Sequence, residues 1–258
     1  MQVDGAARTD VGKKRRSNED AFAFLPDRRL FVVADGIGGL ARGELASEVA
    51  VASISRSFLE TEEEDLTPIT DANGTRSLGG RRLVMALTEA NARVLAMAGE
   101  DPEARPMGTA VAALAIDAEH GQAAICHVGD ARVYRVRNGT IELMTEDHTL
   151  VRQLLRDGRI GPDELTRHPQ RHVLTRALGT GAIVRPDLRV ESLWEGDVFV
   201  LCSDGVHGAV DDTEILDVIR LSGEDFEAIC GRLIAIANDR GGNDNSTVVV
   251  AACRGAKP

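Results

Sequence analysis

Short apolar runs rich in Val, Ile, Ala and Phe recur at 21–25, 30–34, 110–116, 123–128, 132–136, 140–144, 188–193, 198–202 and 247–252. Runs of this length with β-branched enrichment predict strands, and together they predict a strand-dominated core. Within RVYRVRNGTIEL, Asn138-Gly139 separates two alternating runs. That dipeptide predicts a β-hairpin, because a tight turn of the right twist needs positive φ. Two longer stretches, 41–59 and 82–98, carry apolar residues at three- and four-residue spacing and predict helices. An acidic, turn-rich loop joins them. Further helices are predicted near 149–156, 212–221 and 224–238, whereas 158–181 has mixed charge and weak periodicity and reads as a surface excursion.

Strands grouped together and helices grouped in pairs predict an α+β architecture, with helix pairs covering antiparallel sheets, rather than βαβ winding. No repeat is visible at the 20–50 residue scale. No Pro-, Gly- or Ser-rich linker divides the 258 residues, so one compact domain is expected.

Composition narrows the function. The chain carries 41 acidic against 30 basic side chains, net −11, with one Trp and one Tyr. A single-stranded nucleic acid site needs aromatic platforms in a basic groove, so nucleic acid is not an expected partner. Cys126, Cys202, Cys230 and Cys253 form no C-x-x-C and read as buried thiols. The first residues lack the apolar stretch of a signal peptide, and no apolar run approaches a membrane span, so no membrane association is expected. A cytoplasmic enzyme or regulator is the expectation.

Three predicted strands end on a carboxylate: LFVVADG on Asp35, AICHVGD on Asp130 and VFVLCSDG on Asp204. Each alone is also the ordinary chemistry of a turn after a strand. Asn18-Glu19-Asp20 and Asn243-Asp244-Asn245 add polar clusters beside other strands. Should these converge, the carboxylates would raise one another's pKa and call for a compensating cation. Oxygen-only ligation suits Mg²⁺ or Mn²⁺, whereas zinc would want His and Cys that are not spaced for it here. His168 and His172 flank Pro169 and read as surface residues. Gly36-Ile37-Gly38-Gly39-Leu40-Ala41 fits a dinucleotide fingerprint only superficially, because Asp35 would face the pyrophosphate and no βαβ unit follows.

In order, the chain shows Arg15-x-x-Asn18-Glu19-Asp20, Asp35-Gly36-Ile37-Gly38-Gly39, Gly108-Thr109, Val128-Gly129-Asp130-Ala131-Arg132, Asp147-His148-Thr149, Leu174-Thr175-Arg176-Ala177-Leu178-Gly179, Ser203-Asp204-Gly205 and Asp244-Asn245-Ser246-Thr247. This ordered set closely resembles the metal-dependent Ser/Thr protein phosphatases of the PP2C (PPM) family, in their short bacterial form. The resemblance implies a four-layer αββα sandwich, with two antiparallel sheets between helix pairs. It also implies hydrolysis of phosphoserine and phosphothreonine in proteins by a hydroxide bridging two metals, opposing a cognate protein kinase. The cofactors implied are two tightly bound Mn²⁺ or Mg²⁺ ions and a weaker third.

By position, Asp35 would bridge the metals, the Gly36 carbonyl would ligate one, and Asp204 and Asp244 would complete the other. Asp130 with Asp204 would hold the third ion. Glu19 and Asp20 would orient metal waters, and Arg15 would grip the phosphate with its planar fork. The segment 158–181 falls where the family carries its flap. Gly108-Thr109 and Asp147-His148-Thr149 also suit turns and helix caps. The chain departs from relatives at Ile37 and Leu40, where one or the other commonly has a histidine. The leaving oxygen would then take its proton from a metal-bound water, from His148 or from a flap histidine. A phosphatase-like module without activity, binding a partner, is the rival reading.

Overall fold

The computed structural model describes residues 1–38, 41–61, 66–99, 107–165 and 167–255. Its strands and helices are β1 (Gln2–Asp10), β2 (Asp20–Leu25), β3 (Leu30–Ile37), α1 (Ala41–Glu60), β4 (Ile69–Thr70), β5 (Arg76–Ser77), α2 (Leu78–Gly99), β6 (Gly108–Asp117), β7 (Gln122–Val128), β8 (Arg132–Arg137) and β9 (Thr140–Leu143). They continue with α3 (Leu150–Arg156), β10 (Asp187–Ser192), β11 (Val198–Cys202), α4 (Asp204–His207), α5 (Asp212–Ser222), α6 (Phe226–Asp239) and β12 (Ser246–Arg254).

Two five-stranded sheets form the centre, ordered β1-β12-β11-β8-β9 and β10-β7-β6-β3-β2. All their pairings are antiparallel. The layers follow from the alternation of side chains along each strand. In β3, Leu30, Val32 and Ala34 pack under α1 and α2 with Ala46, Ala50, Leu83, Leu87 and Ala90. The intervening Phe31 and Val33 face the other sheet and meet Phe199, Leu201 and Val249. In β12, Val248 and Val250 turn outward to Ile215, Leu233 and Ile234 on α5 and α6. Strands buried on both faces explain the continuous apolar runs, and the expected αββα sandwich is present. The hairpin at Asn138-Gly139 also forms, with φ of 50° and 73° and Arg137 paired with Thr140.

Sequence reading missed four features. Edge strand β1 carries only Val3 and Ala6 as buried apolar residues, and its order comes from a nine-pair ladder with β12. Gly5 is required there, since a Cβ would collide with the Val250 carbonyl. The β4–β5 hairpin and the single-turn α4 are too short for a periodicity, and α2 begins at Leu78, ahead of the expected 82. The segment 158–181 holds turns and a 3₁₀ turn at Pro162–Glu164, anchored at its end by bridges from Leu174 to Thr149 and from Leu178 to Thr109. Leu40 lies outside the described residues.

Candidate metal centre

The apolar row between the sheets ends in carboxylates. Asp35 continues the Phe31, Val33 alternation along β3, and Asp20 is its direct partner on β2. Both therefore turn into the gap between the sheets. From the opposite sheet, β11 runs into α4, whose first residue is Asp204 with Ser203 as N-cap. Gly205 permits this approach, because a Cβ would collide with the Asn245 carbonyl. Asp244 precedes β12 and Asp130 lies in the crossover from β7 to β8.

These residues converge on one cleft. A cavity of about 440 Å³ is lined by Arg15, Glu19, Asp35, Gly36, Asp204, Asp244 and neighbours that include His172 and Ile37. A second cavity of about 350 Å³ lies beside it, with Asp130, Arg132, Asp147 and Arg171 in its wall, and shares Asp204 and His172 with the first. Asp20 stands behind the cleft: its Oδ2 accepts hydrogen bonds from Ser203 Oγ and Thr247 Oγ1, each at 2.7 Å, tying one sheet to the other. Thr247 Oγ1 contacts Thr9 Oγ1, which accepts from Asn18 Nδ2. Asn245 Oδ1 accepts from the Glu19 amide at 2.8 Å while its Nδ2 donates to the carbonyls of Val11 and Ser17.

Burial and mutual repulsion dominate the electrostatics. Burial pushes Asp35 well above the ordinary carboxylate range, and Asp20, Asp204, Asp130 and Asp244 add to the shift. Asp20 is pushed up to about 7 by burial, with its two hydroxyl donors pulling the other way. Asp130 rises to about 8 through burial, Asp204 and Asp147. Asp204 is raised by burial and then by Asp244, against a weaker pull from His172 and Arg15. Arg15 Nη2 donates to Asp244 Oδ2 at 2.7 Å, which holds the guanidinium at the rim and strengthens its charge. One guanidinium does not balance this many acids. An all-oxygen donor set with excess negative charge fits hard divalent cations.

The structure thus brings Arg15, Glu19, Asp35, Gly36, Asp204 and Asp244 to one cavity, with Asp20 behind it and Asp130 in the adjoining one. The proton-donor side chains separate, and His168 lines neither cavity. His148 is buried and turned away from the cleft: its Nδ1 accepts from the Gly129 amide at 3.1 Å and its Nε2 lies 3.1 Å from Asp187 Oδ2, close but poorly aligned. His172 lies on the wall, its Nδ1 3.9 Å from Asp204 Oδ2. Sequence reading missed the supporting roles of Ser203, Asn245 and Thr247. Their motif positions were visible, but a hydroxyl or amide reaching across two sheets leaves no local pattern.

Comparison with known proteins agrees with this geometry. The family model described as Protein phosphatase 2C matches residues 11–245. The serine/threonine protein phosphatase PstP of Mycobacterium tuberculosis is 35% identical over 246 residues, 95% of this chain and 44% of the relative, so the chain spans less than half of that protein. The serine/threonine phosphatase stp of Listeria welshimeri is 35% identical over 94% of this chain and 93% of its own length. A crystal structure of the catalytic domain of PstP in complex with two manganese ions superposes with a TM-score of 0.83 at 31% identity, covering 98% of this chain and 99% of the other.

Proposed function

The chain belongs to the protein phosphatase 2C family, and on that premise we propose that it hydrolyses phosphoserine and phosphothreonine esters in proteins with the help of divalent cations. The observation that carries this reading is the meeting of Asp35, Gly36, Asp204, Asp244 and Arg15 around one cavity. Asp35, the Gly36 carbonyl, Asp204 and Asp244 would hold two ions, Mn²⁺ or Mg²⁺, and Asp130 with Asp204 a weaker third. Such cations lower the pKa of water and neutralise phosphoryl oxygens.

The remaining chemistry belongs to the chain. Arg15, poised by Asp244, meets the phosphate dianion with a charge it cannot lose. Glu19 and Asp20 orient water, Glu19 from the cleft wall and Asp20 from behind it, fixed by Ser203 and Thr247. Ile37 on the wall has no proton to give. His172, rather than His148, is the side chain to test for protonating the leaving oxygen.

The reading takes residues 1–258 as one catalytic unit, with 158–181 as a flap whose His172 lines both cavities and whose Arg171 lines the second. Its substrates are phosphoproteins, and the natural counterpart is a cognate Ser/Thr protein kinase. Free, buried cysteines at 126, 202, 230 and 253 suit the cytoplasm. Among the described residues, no helix is long and apolar enough to cross a membrane. The test is Mn²⁺-dependent release of phosphate from a phosphothreonine peptide. No turnover with either Mn²⁺ or Mg²⁺ would favour an idle, partner-binding module instead.

A further inference from the structure

Asp130 differs from the other cleft carboxylates in how its backbone is held. It lies between β7 and β8, where the chain passes from one sheet to the other, and it follows Gly129 at φ +103°. Only glycine serves at 129, since a Cβ would run into Ala110. A crossover in this conformation needs bonds from outside its own ladder to keep one shape.

Two buried histidines supply them, one on each side of the Gly129–Asp130 peptide. The Gly129 amide donates to His148 Nδ1 at 3.1 Å, and the His148 amide donates back to the Gly129 carbonyl at 2.9 Å. Residue 148 therefore satisfies both backbone groups of Gly129. On the other side, His207 Nε2 lies 3.0 Å from the Asp130 carbonyl oxygen. These contacts fix the tautomers. An Nδ1 that accepts from an amide leaves the proton on Nε2 of His148. An Nε2 facing a carbonyl must carry the proton in His207.

Each histidine also reaches another part of the active region. His207 stands three residues after Asp204 on α4, so its bond links the backbone that carries Asp204 to the backbone that carries Asp130. The His148 carbonyl accepts from the Thr175 amide at 2.8 Å, where the chain returns from 158–181, and its ring faces Asp187, which Arg176 Nη1 also holds at 2.6 Å.

We propose that His148 and His207 are positioning residues, a pair of clamps with opposite hydrogen-bond roles that hold the Gly129–Asp130 turn so that Asp130 and Asp204 share one cation. The proposal rests on the assignment of a weaker ion to Asp130 and Asp204. It also disposes of a rival role for His148. The ligand atoms of His127, His148 and Asp187 lie within 4.8 Å of one another, as in a metal site. Yet His148 presents a protonated Nε2 there, and His127 Nε2 donates to the Glu146 carbonyl at 2.9 Å. Only His127 Nδ1 and the Asp187 carboxylate remain to ligate, too few for a held ion.

The test compares side chains that keep or lose the relevant atom, in the full chain. His148→Asn retains an acceptor near the Nδ1 position and His207→Gln retains a donor near the Nε2 position, whereas His148→Leu and His207→Leu retain neither. Amide hydrogen exchange over residues 128–132 of the metal-free protein is read beside calorimetric titration with Mn²⁺. The leucine variants are expected to exchange about 10-fold faster in this segment. Their weaker Mn²⁺ site is expected to lose about 10-fold or more in affinity, with tight binding unchanged, while the Asn and Gln variants stay within about 3-fold of wild type. Wild-type exchange in both leucine variants would overturn the clamp, as would Asn and Gln variants as impaired as the leucine ones. Asp130→Ala is the control for the ion: if the weaker site survives it, the ion assignment fails and the clamp is judged on exchange alone. Should a leucine variant not fold, His207→Gln against the shorter His207→Asn reads the same contrast. Protection kept in Gln and lost in Asn supports the clamp, and equal behaviour overturns it.

Discussion

Asp20 and Asp35 are held differently from Asp130, Asp204 and Asp244. The first two lie within β2 and β3 as direct cross-strand partners, so a ladder holds their backbones, with Asn18 Oδ1 at the Asp20 amide and Thr109 Oγ1 at the Asp35 carbonyl adding to it. The other three lie outside strands, in a crossover, on the one-turn α4 and in the loop entering β12. At Asp130 the turn is held by side-chain bonds from His148 and His207, the Asp204 carbonyl accepts from the Gly208 amide within its single turn, and Asn245, next to Asp244, ties its loop to Val11 and Ser17. Carboxylates in a ladder should tolerate changes around them. Those on turns should be sensitive to residues that never touch substrate.

The largest effect expected is on the turn side of this contrast. Asp204→Asn should lower turnover of a phosphothreonine peptide by about 10²–10³-fold or more, with the far-UV spectrum unchanged, because it removes a charge shared by both cavities. Near-normal turnover would remove Asp204 from the centre.

Arg15→Ala should act mainly on binding. Loss of a charge-assisted contact to phosphate is expected to raise KM by about 10-fold or more, with a smaller change in kcat. A fall confined to kcat would place Arg15 in the chemical step instead.

Both groups of carboxylates contribute to a pH effect. Asp20, Asp35, Asp130 and Asp204 all have folded-state pKa values raised above 3.8, to about 7 for Asp20 and about 8 for Asp130. A raised carboxyl pKa means that the folded state binds more protons than the unfolded one, so stability falls as pH rises from about 4 towards about 8. The metal-free protein should lose at least about 5 °C of Tm between pH 5 and pH 8, and saturating Mn²⁺ should abolish the loss. A flat profile without metal would show that burial and mutual repulsion do not raise these carboxyls.

The smallest effect expected sharpens the ladder side. Ser203→Ala removes one of two hydroxyl donors from Asp20 and should cost about 1–3 kcal/mol in denaturant unfolding at pH 8, with Asp20 staying in place. Mn²⁺ affinity should change little. A collapse of tight Mn²⁺ binding in this variant would mean that the ladder does not hold Asp20 by itself.

The same division separates what sequence made legible from what it did not. Strands β3, β6, β11 and β12 are buried on both faces and announce themselves as apolar runs, and Asp35 and Asp204 stand out because each run stops on a carboxylate. Edge strand β1 does not, since residues such as Gln2, Asp4 and Arg8 need only a backbone partner. Nor does α4, whose four residues read as a turn after β11. The ordered motifs pointed to the cleft residues, but not to their supports. His148 and His207 are 59 positions apart and reach the same turn only because β7, β8 and α4 bring them there. Sheet order is equally silent in the chain, so the tie from Asp20 to Ser203 and Thr247 appears only once β2 lies across from β11 and β12.

Whether Asp35 is the shared ligand of a divalent metal centre is decided most directly by calorimetric titration of wild type and Asp35→Asn with Mn²⁺, at one pH and with Tm recorded for both. Wild type should bind Mn²⁺ tightly. The variant should lose that binding while its metal-free Tm at pH 8 holds or rises, because a carboxyl whose ionisation burial and neighbouring acids oppose has gone. Tight binding of wild-type affinity in a folded Asp35→Asn protein would contradict the assignment.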